Sequence, residues 1–419
     1  MTAVPGGPGA APVIYVTAQL PYGATEPFVA AEIAELERQG CRIWIVPVRT
    51  KGAVVHGDAR SLLPQTIAAP LLSGAIVRAA VAEAIAAPAV VGRALLAILR
   101  GDARILLKNL SVFPKALWLA RQARRLGACH LHAHWASTPA TLAMLASRVS
   151  GVPWSFTAHR WDIAEDNLLA LKVRDACFVR AISEHGAEEL RAIVGDRAAS
   201  PWVLHMGVAL PAAQASGAAP ERPFRILTAA RFVEKKGHVH LLAALVSLKE
   251  RGVSVRAELA GEGPLGPSLR RRTRDLGLEG EVAFLGNVPH EELVRGMAEG
   301  RWHAAVLPSV VTPSGELEGI PVSLIEAMAC GLPAIGTDAG GTPELLRDGA
   351  GLLVAPEDSE ALAEALAALA GDPAERRRLA HRGRRRVEES FASARIAASL
   401  QARFRECGDR RRAVEAPPA

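Results

Sequence analysis

Short apolar runs alternate along the chain with longer stretches in which apolar residues recur at helical spacing. Such runs predict strands, and such stretches predict helices. In the first half of the chain we predict strands over 13–17, 42–48, 131–135, 154–159 and 177–183. In the second half we predict strands over 225–230, 255–260, 282–285, 304–307 and 333–337. Predicted helices include 26–39, several within 61–126, 291–297 and 321–329. Because strands that alternate with helices form parallel sheets, the pattern predicts an α/β protein.

A stretch rich in Ala, Pro, Ser and Gly separates the two series of strands. We therefore predict an N-terminal domain over 1–206, a linker over 207–222, a second domain over 223–390, and a C-terminal helix with a basic tail over 391–419. Both domains are expected to be doubly wound, Rossmann-like sheets. Ligands bind beyond the carboxyl ends of the strands in such sheets, so we predict a central cleft that the two domains face.

Composition narrows the class of protein. Half of the residues are hydrophobic and 22% are charged, which is typical of a globular protein and excludes disorder. The five cysteines form no C-x-x-C pair, which indicates free thiols and a cytoplasmic location. The sequence contains no stretch of 18 uncharged apolar residues, so no membrane span is predicted. The first residues lack the basic start of a signal peptide, so none is expected.

The segment EGIPVSLIE at 318–326 introduces a predicted helix. Pro321 suits the first helical turn, whose free N–H groups favour a phosphate. If the span is helical, Glu318 and Glu326 lie about 12 Å apart, so that they could hold the two ends of one elongated ligand, such as sugar and ribose hydroxyls. The alternative is a capping glutamate followed by a solvated one.

The segment ARFVEKKGH places Arg231 at the carboxyl end of a predicted strand and Lys236 before the next helix. An arginine and a lysine that converge there can neutralise a diphosphate, although basic residues at strand ends are often merely solvated. The turn from Gly261 to Gly263 follows the next strand and is by itself weak evidence for a phosphate loop.

Together, ARFVEKKG, AGEGPL, FLGNV and EGIPVSLIEAMACGLP resemble the retaining, nucleotide-sugar-dependent glycosyltransferases of the GT-B fold, family 4 type. HLHAHWAS and GVPWSFTAHRWDI resemble the exopolysaccharide branch of these enzymes, which includes the colanic-acid and amylovoran transferases. Thr25, Pro27 and Arg160 depart from the pattern of that branch.

The resemblance implies a set of site residues. Glu318 would contact the donor sugar, Glu326 the ribose, and Arg231 and Lys236 the diphosphate, while His159 would lie near the reacting sugar. The catalytic set is therefore Glu318, His159, Arg231 and Lys236. Further donor-binding residues would be Gly261, Gly263, Asn287, Val288, Gly319, Ile320, Pro321 and Val322. Acceptor-binding residues would be Glu26, His134 and Asp162.

The chemistry that the resemblance implies is transfer with retention of the anomeric configuration. Arg231, Lys236 and a helix N-terminus would stabilise the leaving diphosphate, so that no metal or other cofactor is expected. Front-face attack is favoured over a covalent intermediate on Glu318. The expected partners are a nucleotide-sugar donor, with a UDP-sugar favoured and GDP-mannose as the alternative, and a hydroxyl acceptor such as a lipid-linked glycan.

Two other features carry weaker expectations. Cys129, His130, His132 and His134 suggest a metal, but the histidines would spread over roughly 13 Å of a strand, so a strand end that faces the ligand is favoured. Arginine runs at 270–274, 376–386 and 410–412 fit solvated helices. They also fit an anionic membrane surface, with the apolar helices between Leu71 and Leu119 helping. A nucleic acid is not an expected partner, because no recognition module is present.

Three alternative functions remain open from the sequence. A transferase that modifies a small natural product would use soluble acceptors. A protein that binds nucleotide sugars without turnover would keep the donor site alone. A glycosidase fits less well, because its two carboxylates must lie about 5 to 10 Å apart across one bond.

Overall fold

The computed structural model describes residues 11–23, 26–54, 57–71, 73–100, 102–195, 200–211 and 222–415. The chain forms two compact units, one made of Met1–Met206 with Ser393–Ala419 and the other of Gly207–Ala392. Thr25, most of the predicted linker and the last four residues of the predicted tail lie outside the described residues.

The first unit contains a six-stranded parallel sheet. Its strands are β1 (Val13–Thr17), β2 (Ile43–Pro47), β3 (His130–His134), β4 (Trp154–Ala158), β5 (Val179–Ala181) and β6 (Trp202–Val203). They lie in the order β2-β1-β3-β4-β5-β6. Every residue of β1, β3 and β4 is buried, because helices cover both faces of the sheet.

Among the described residues, nine helices of the first unit precede the second unit. They are α1 (Pro27–Arg38), α2 (Gly57–Ser61), α3 (Gly74–Ala86), α4 (Pro88–Ile98), α5 (Ala103–Leu126), α6 (Thr138–Ser150), α7 (Arg160–Glu165), α8 (Leu169–Asp175) and α9 (Glu184–Val194), and a 3-10 turn spans Leu63–Gln65. Within the part of the chain that the structure describes, no single helix has the length and composition of a membrane span, whereas α3 and α4 meet that test together but are bent by 114°.

The second unit repeats the architecture. Its strands are β7 (Phe224–Ala229), β8 (Val255–Ala260), β9 (Val282–Gly286), β10 (Ala304–Leu307), β11 (Ala334–Thr337) and β12 (Leu352–Val354). They are parallel in the order β12-β11-β10-β7-β8-β9. Its helices are α10 (His238–Glu250), α11 (Gly266–Asp275), α12 (His290–Ala298), α13 (Val322–Ala329), α14 (Thr342–Leu346), α15 (Ser359–Gly371) and α16 (Pro373–Ser390), with a 3-10 turn at Glu234–Lys236.

The last helix, α17 (Ser393–Glu415), returns to the first unit. Ile396, Leu400 and Phe404 recur every four residues and form one apolar face of this helix. They are buried in one cluster with Val13 and Tyr15 of β1. The C-terminal helix therefore completes the core of the N-terminal unit, although it follows the second unit in sequence.

Both sheets are doubly wound, as the sequence predicts. Strand order reverses between β1 and β3 in the first sheet and between β7 and β10 in the second. At such a reversal the two flanking loops leave the sheet in opposite directions and open a crevice at the carboxyl ends of the strands. The loops that follow β1, β3, β7 and β10 are therefore where ligand-binding side chains are expected in each unit.

Candidate functional site

The loops after β7 and β10 meet at the reversal point of the second sheet. Lys236 follows β7 and Glu318 follows β10, and their Nζ and Oε2 atoms lie 2.6 Å apart with both side chains mostly buried. The Val310 N–H donates a 2.9 Å hydrogen bond to the Lys235 carbonyl and ties the two loops together. Arg231 is exposed on the same loop as Lys236. The structure thus brings Lys236 and Glu318 together at the reversal point and places Arg231 on the same loop as Lys236.

Glycine is required where the loop after β8 crosses the loop after β7. A Cβ on Gly261 would lie 2.1 Å from the Ala230 carbonyl oxygen, and one on Gly263 would lie 2.5 Å from that of Phe232. Phe232 also donates its N–H to the Glu262 carbonyl at 2.9 Å. These glycines let the two loops pack backbone to backbone beside Arg231. Their predicted contact with a donor remains a prediction.

A pair of glycines after β11 supports the loop that carries Glu318. The Gly341 N–H donates to the Glu318 carbonyl at 3.2 Å. A Cβ on Gly340 would lie 1.9 Å from that same oxygen, and one on Gly341 would lie 2.7 Å from the Ile320 nitrogen. This pair was not among the residues predicted from the sequence. Adjacent glycines directly after a strand, at the edge that binds ligands, are the signal that could have found it.

Replacing Gly340 by alanine is therefore expected to displace Glu318 and to lower glycosyl transfer by about tenfold or more, since the new methyl group overlaps the Glu318 carbonyl. Initial rates of glycosyl transfer measure the effect. Gly315→Ala is the matched control, because Gly315 also has positive φ (79° against 62°) but no atom lies within 4 Å of the position that its new methyl group would take. Equal losses in the two variants would mean that backbone strain alone matters.

Glu326 lies on α13, and its Oε1 atom is 2.7 Å from Nε2 of His290, the first residue of α12. His290 was not predicted from the sequence, although it follows the FLGNV segment closely. Asn287 is exposed and Val288 half-buried just before this histidine. Glu326 on α13 and the segment after β9 therefore lie beside one another, and the ribose and base contacts assigned to them remain predictions.

One expectation about this segment is wrong. The span from Glu318 to Glu326 is not helical throughout, because α13 begins only at Val322 and Pro321 caps it. Gly319 is exposed and Ile320 half-buried within the preceding loop. The helical spacing of about 12 Å therefore does not describe the two glutamates. A proline fits a helix start as well at the cap as in the first turn, which is why the sequence placed the start one residue early.

The first sheet has its own polar chain at the carboxyl ends of its strands. Nε2 of His159, after β4, lies 2.9 Å from Nε2 of His134, at the end of β3, so one of the two nitrogens must donate to the other. His134 Nδ1 lies 3.5 Å from Oε1 of Glu32 on α1. Oε2 of Glu32 accepts from Arg180 at 2.5 Å. The two predicted histidines thus lie together, and the buried ion pair of Glu32 and Arg180 contacts His134.

Burial and neighbouring charges determine the pKa values of His159 and Glu32. Burial lowers the pKa of His159 well below its usual range, so this imidazole is neutral at neutral pH and able to accept as well as donate a hydrogen bond. Burial alone would raise the pKa of Glu32, but the charge of Arg180 and the contact with His134 outweigh it and lower that pKa. Neither Glu32 nor Arg180 was predicted from the sequence. A glutamate on the apolar face of α1 is a signal that a buried cation exists elsewhere.

Glu32→Gln is expected to lower the free energy of unfolding by about 3 kcal/mol at pH 7, because it leaves Arg180 buried without its anion. Since the folded-state pKa of Glu32 is depressed, its stabilisation is complete above the unfolded value of 4.5 and is lost as the pH falls below it. Urea unfolding between pH 7 and pH 3 should show that the difference in free energy of unfolding between Glu32→Gln and the wild type becomes smaller as the pH falls.

Glu35→Gln is the matched control on the same helix. Glu35 pairs with Arg38, whose side chain is mostly exposed, at 2.6 Å. Its loss should cost less than about 1 kcal/mol. Equal effects of the two substitutions, or a Glu32→Gln gap that stays constant with pH, would contradict the assigned ion pair.

Glu26 contacts groups of its own unit, and its predicted binding of the acceptor remains a prediction. Its carboxylate accepts the Gln19 and Leu20 N–H groups, both at 2.7 Å, and the indole N–H of Trp135 at 2.6 Å. It therefore fixes the loop after β1 to the residue after β3, across the reversal point of the sheet. Trp135 adopts φ of 108°, which is rare for a non-glycine residue, and its ring centroid lies 4.3 Å from that of His159. Trp135 was not among the residues predicted from the sequence.

Asp162 also holds backbone. It is buried and accepts the His159 N–H at 2.7 Å and the Ala136 N–H. Lys172 donates to the carbonyls of Ala136 and Ser137 at 2.7 and 2.9 Å. Burial raises the pKa of Asp162 to about 7 and lowers the pKa of Lys172 to about 7. The two side chains lock the turn after β3, and acceptor binding by Asp162 remains a prediction.

The remaining histidines of β3 have local partners. His130 lies 2.7 Å from the Ser155 hydroxyl, and His132 lies 2.8 and 3.0 Å from the hydroxyls of Ser155 and Thr157. Burial lowers the pKa of His130 to about 3 and the pKa of His132 well below its usual range. Within the described stretches of the chain, no group of three or more His, Cys, Asp or Glu residues is arranged to hold a metal ion.

Several arginines of the run at 376–386 contact groups of the second unit itself. Arg376 is buried and donates to the Leu369 carbonyl at 2.6 Å, and Arg386 donates to the Glu344 carbonyl at 2.9 Å. Arg384 and Arg385 pair with glutamates one turn along α16. In the run at 270–274, Arg270 lies over the ring of Phe284 at 4.4 Å. The side chains of Arg410 to Arg412 lie outside the described residues.

Comparison with known proteins finds a family match for the second unit. Residues 211–386 match the family described as "Glycosyl transferases group 1". The chain is 40% identical over 175 residues to the putative colanic acid biosynthesis glycosyltransferase WcaL of Escherichia coli K12, covering 41% of this chain and 43% of that protein. It is 37% identical over 171 residues to the amylovoran biosynthesis glycosyltransferase AmsK of Erwinia amylovora, covering 41% and 42%. Each match spans less than half of the relative's length.

Solved structures share the whole fold. The structure of Anabaena Alr3699/HepE in complex with UDP superposes with a TM-score of 0.68 at 18% identity, covering 94% of this chain and 100% of that one. At that identity the likeness concerns the fold alone. The GT-B architecture predicted from the sequence, with two parallel-sheet Rossmann-like domains, is confirmed, as is the resemblance to the colanic-acid and amylovoran transferases.

Proposed function

We propose that this chain, whose residues 211–386 match the group 1 glycosyl transferases, moves a sugar from a nucleotide-diphosphate sugar to a hydroxyl acceptor in the assembly of a surface polysaccharide or glycolipid. The observation that carries the proposal is the meeting of Lys236 and Glu318 at the reversal point of the second sheet, 2.6 Å apart, with Arg231 on the same loop as Lys236. That crevice is where a doubly wound sheet binds nucleotides.

The chemistry follows from the charges in that crevice. As the bond from the anomeric carbon to the diphosphate breaks, negative charge grows on the leaving oxygen. Arg231 and Lys236 stabilise this charge, and these two fixed cations make a divalent metal unnecessary in our proposal. Glu318, which the glycine pair after β11 holds from behind, binds the hydroxyls of the donor sugar. We propose retention of configuration, with the departing phosphate taking the acceptor proton.

The donor we favour is a UDP-sugar, with GDP-mannose as the alternative. Glu326 beside His290 offers a carboxylate to the ribose hydroxyls, and Asn287 and Val288 lie next to them for the base. The structural relative HepE was solved in complex with UDP, which supports the choice for this chain without deciding it.

The acceptor side of the proposal belongs to the first unit. The neutral His159 lies at the carboxyl end of β4, next to the half-exposed ring of Trp135. A neutral imidazole can hydrogen-bond a sugar hydroxyl, and an indole ring packs well on the apolar face of a sugar. We propose a glycan as the acceptor, in keeping with the polysaccharide assembly named for WcaL and AmsK.

The test is a binding panel followed by a transfer assay. UDP, GDP, ADP and their common sugar conjugates are titrated by calorimetry with and without magnesium. We expect one diphosphate to bind without metal and its sugar conjugate to be hydrolysed slowly when no acceptor is present. Binding that depends strictly on magnesium would refute the metal-free site. Binding without hydrolysis or transfer to any glycan would indicate a protein that binds nucleotide sugars without turning them over.

A further inference from the structure

Helices α3 and α4 of the first unit expose a row of large apolar side chains. Val77, Val81 and Ile85 recur every four residues on α3 and are 49%, 53% and 76% exposed. Leu96 on α4 and Leu99 directly after it are 64% and 48% exposed, and Leu107 near the start of α5 is 69% exposed. We call these six residues the apolar face. Single exposed apolar residues are ordinary in soluble proteins, but five on three consecutive helices and a sixth directly after one of them indicate a surface that is covered in use.

Most of the exposed charges around the apolar face are positive, and the exception is Asp102, whose carboxylate caps the start of α5. Arg78, Arg93, Arg100 and Arg104 are all exposed, and none of them forms an ion pair with another described residue. The acidic residue of α3, Glu83, is buried and lies 3.4 Å from Arg121 and 2.5 Å from Arg124. It therefore contributes no exposed negative charge. A surface that joins apolar side chains to arginines complements an anionic surface with an apolar interior.

From this surface we infer that α3 and α4 bind the face of a membrane that contains anionic phospholipids. Neither helix alone has the length and composition of a membrane span, and the two reach them only when they are taken together. The 114° bend between them suits helices that lie along a membrane face. Anionic headgroups supply the counter-charge for the arginines. The arginine run at 376–386 is less suited to this role, because Arg376, Arg384 and Arg386 bind groups of their own unit.

Membrane binding by this face would place the first unit, to which we assign the acceptor, next to a lipid-linked glycan. That consequence rests on the proposed function, whereas membrane binding itself does not. Vesicle binding and glycosyl transfer are therefore measured separately, so that failure of one leaves the other standing.

The experiment is co-sedimentation of the full chain with vesicles of phosphatidylcholine alone, or with roughly one third phosphatidylglycerol. We expect binding to the anionic vesicles that weakens as salt rises and little binding to the neutral ones. Val81→Glu with Ile85→Glu should lower the partition coefficient by at least about tenfold, since it removes apolar insertion and adds repulsion. Leu353→Glu, at a residue of the second unit that is 43% exposed, is the matched control and should bind like the wild type.

A second pair of variants separates local from overall charge. Arg78→Glu with Arg93→Glu should weaken binding to anionic vesicles by about fivefold or more for each arginine. Arg271→Glu with Arg377→Glu changes the net charge equally at exposed sites of the second unit and should have little effect. These exposed substitutions should leave the unfolding midpoint unchanged. No binding by the wild type, equal losses in both charge pairs, or a dimer that dissociates in Val81→Glu with Ile85→Glu would each overturn the inference, the last by identifying a second copy as the occupant.

Discussion

Glu318→Ala is expected to lower glycosyl transfer by about 100- to 1,000-fold while leaving the affinity for the nucleoside diphosphate unchanged or higher. The loss follows because the carboxylate would bind the donor sugar where charge develops in the transition state. The affinity should not fall, because removal of Glu318 frees Lys236 from its 2.6 Å ion pair for the phosphates. Initial rates with a radiolabelled donor and calorimetric titration of the diphosphate measure the two effects.

Glu316→Ala is the control for this substitution. Glu316 lies two residues earlier on the same loop, and its side chain is exposed. Its backbone N–H and carbonyl hold the loop through Thr312, and alanine keeps both groups. We therefore expect near-normal turnover. If Glu318→Ala also turned over at a near-normal rate, the assignment of Glu318 to the donor sugar would be wrong.

The sequence predicted elements well where a strand is fully buried. Residues 13–17 and 304–307 are β1 and β10 as predicted, since each is a short, fully buried and largely apolar run. The missed strands, β6 and β12, are two and three residues long, and their side chains are partly exposed. Both are apolar, but each is shorter than the run of four or more residues that predicts a strand.

The candidate site was predictable as a set of residues and not as a set of contacts. Lys236 and Glu318 each follow a predicted strand, but their ion pair depends on β7 and β10 being neighbours in the sheet, which no local pattern specifies. Arg180 and Glu32, 148 residues apart, meet for the same reason. Glu26 shows the opposite case, in which a motif residue proves to hold the protein's own loop.

The glycine pair at Gly340 and Gly341 illustrates a further limit of the sequence. A glycine in a segment is visible, but the need for it comes from the backbone that passes nearby. Here that backbone belongs to residues 318–320, which lie one strand away. The sequence could therefore name the loop that carries the carboxylate, but not the neighbour that positions it.

Lys236→Ala is expected to weaken binding of the nucleoside diphosphate by about ten- to a hundredfold and to change free-sugar binding much less. A charge-assisted hydrogen bond to a phosphate contributes about 1.5–3 kcal/mol, which corresponds to that range. Lys235→Ala is the matched control, because Lys235 is the neighbouring residue and its contact with Val310 uses only the backbone carbonyl. Calorimetry of both variants with the diphosphate and with the sugar separates the two contributions.

The double variant Lys236→Ala with Glu318→Ala makes the test sharper. In Lys236→Ala the carboxylate of Glu318 loses its cation and repels the incoming phosphates, so part of the lost affinity comes from this repulsion. Removing both groups should therefore restore some of the affinity, and the interaction energy from the complete cycle should be favourable for the pair. If the double variant binds the diphosphate no better than Lys236→Ala, Glu318 does not face the phosphates. If Lys236→Ala binds as tightly as the wild type, the phosphate site lies elsewhere in the unit.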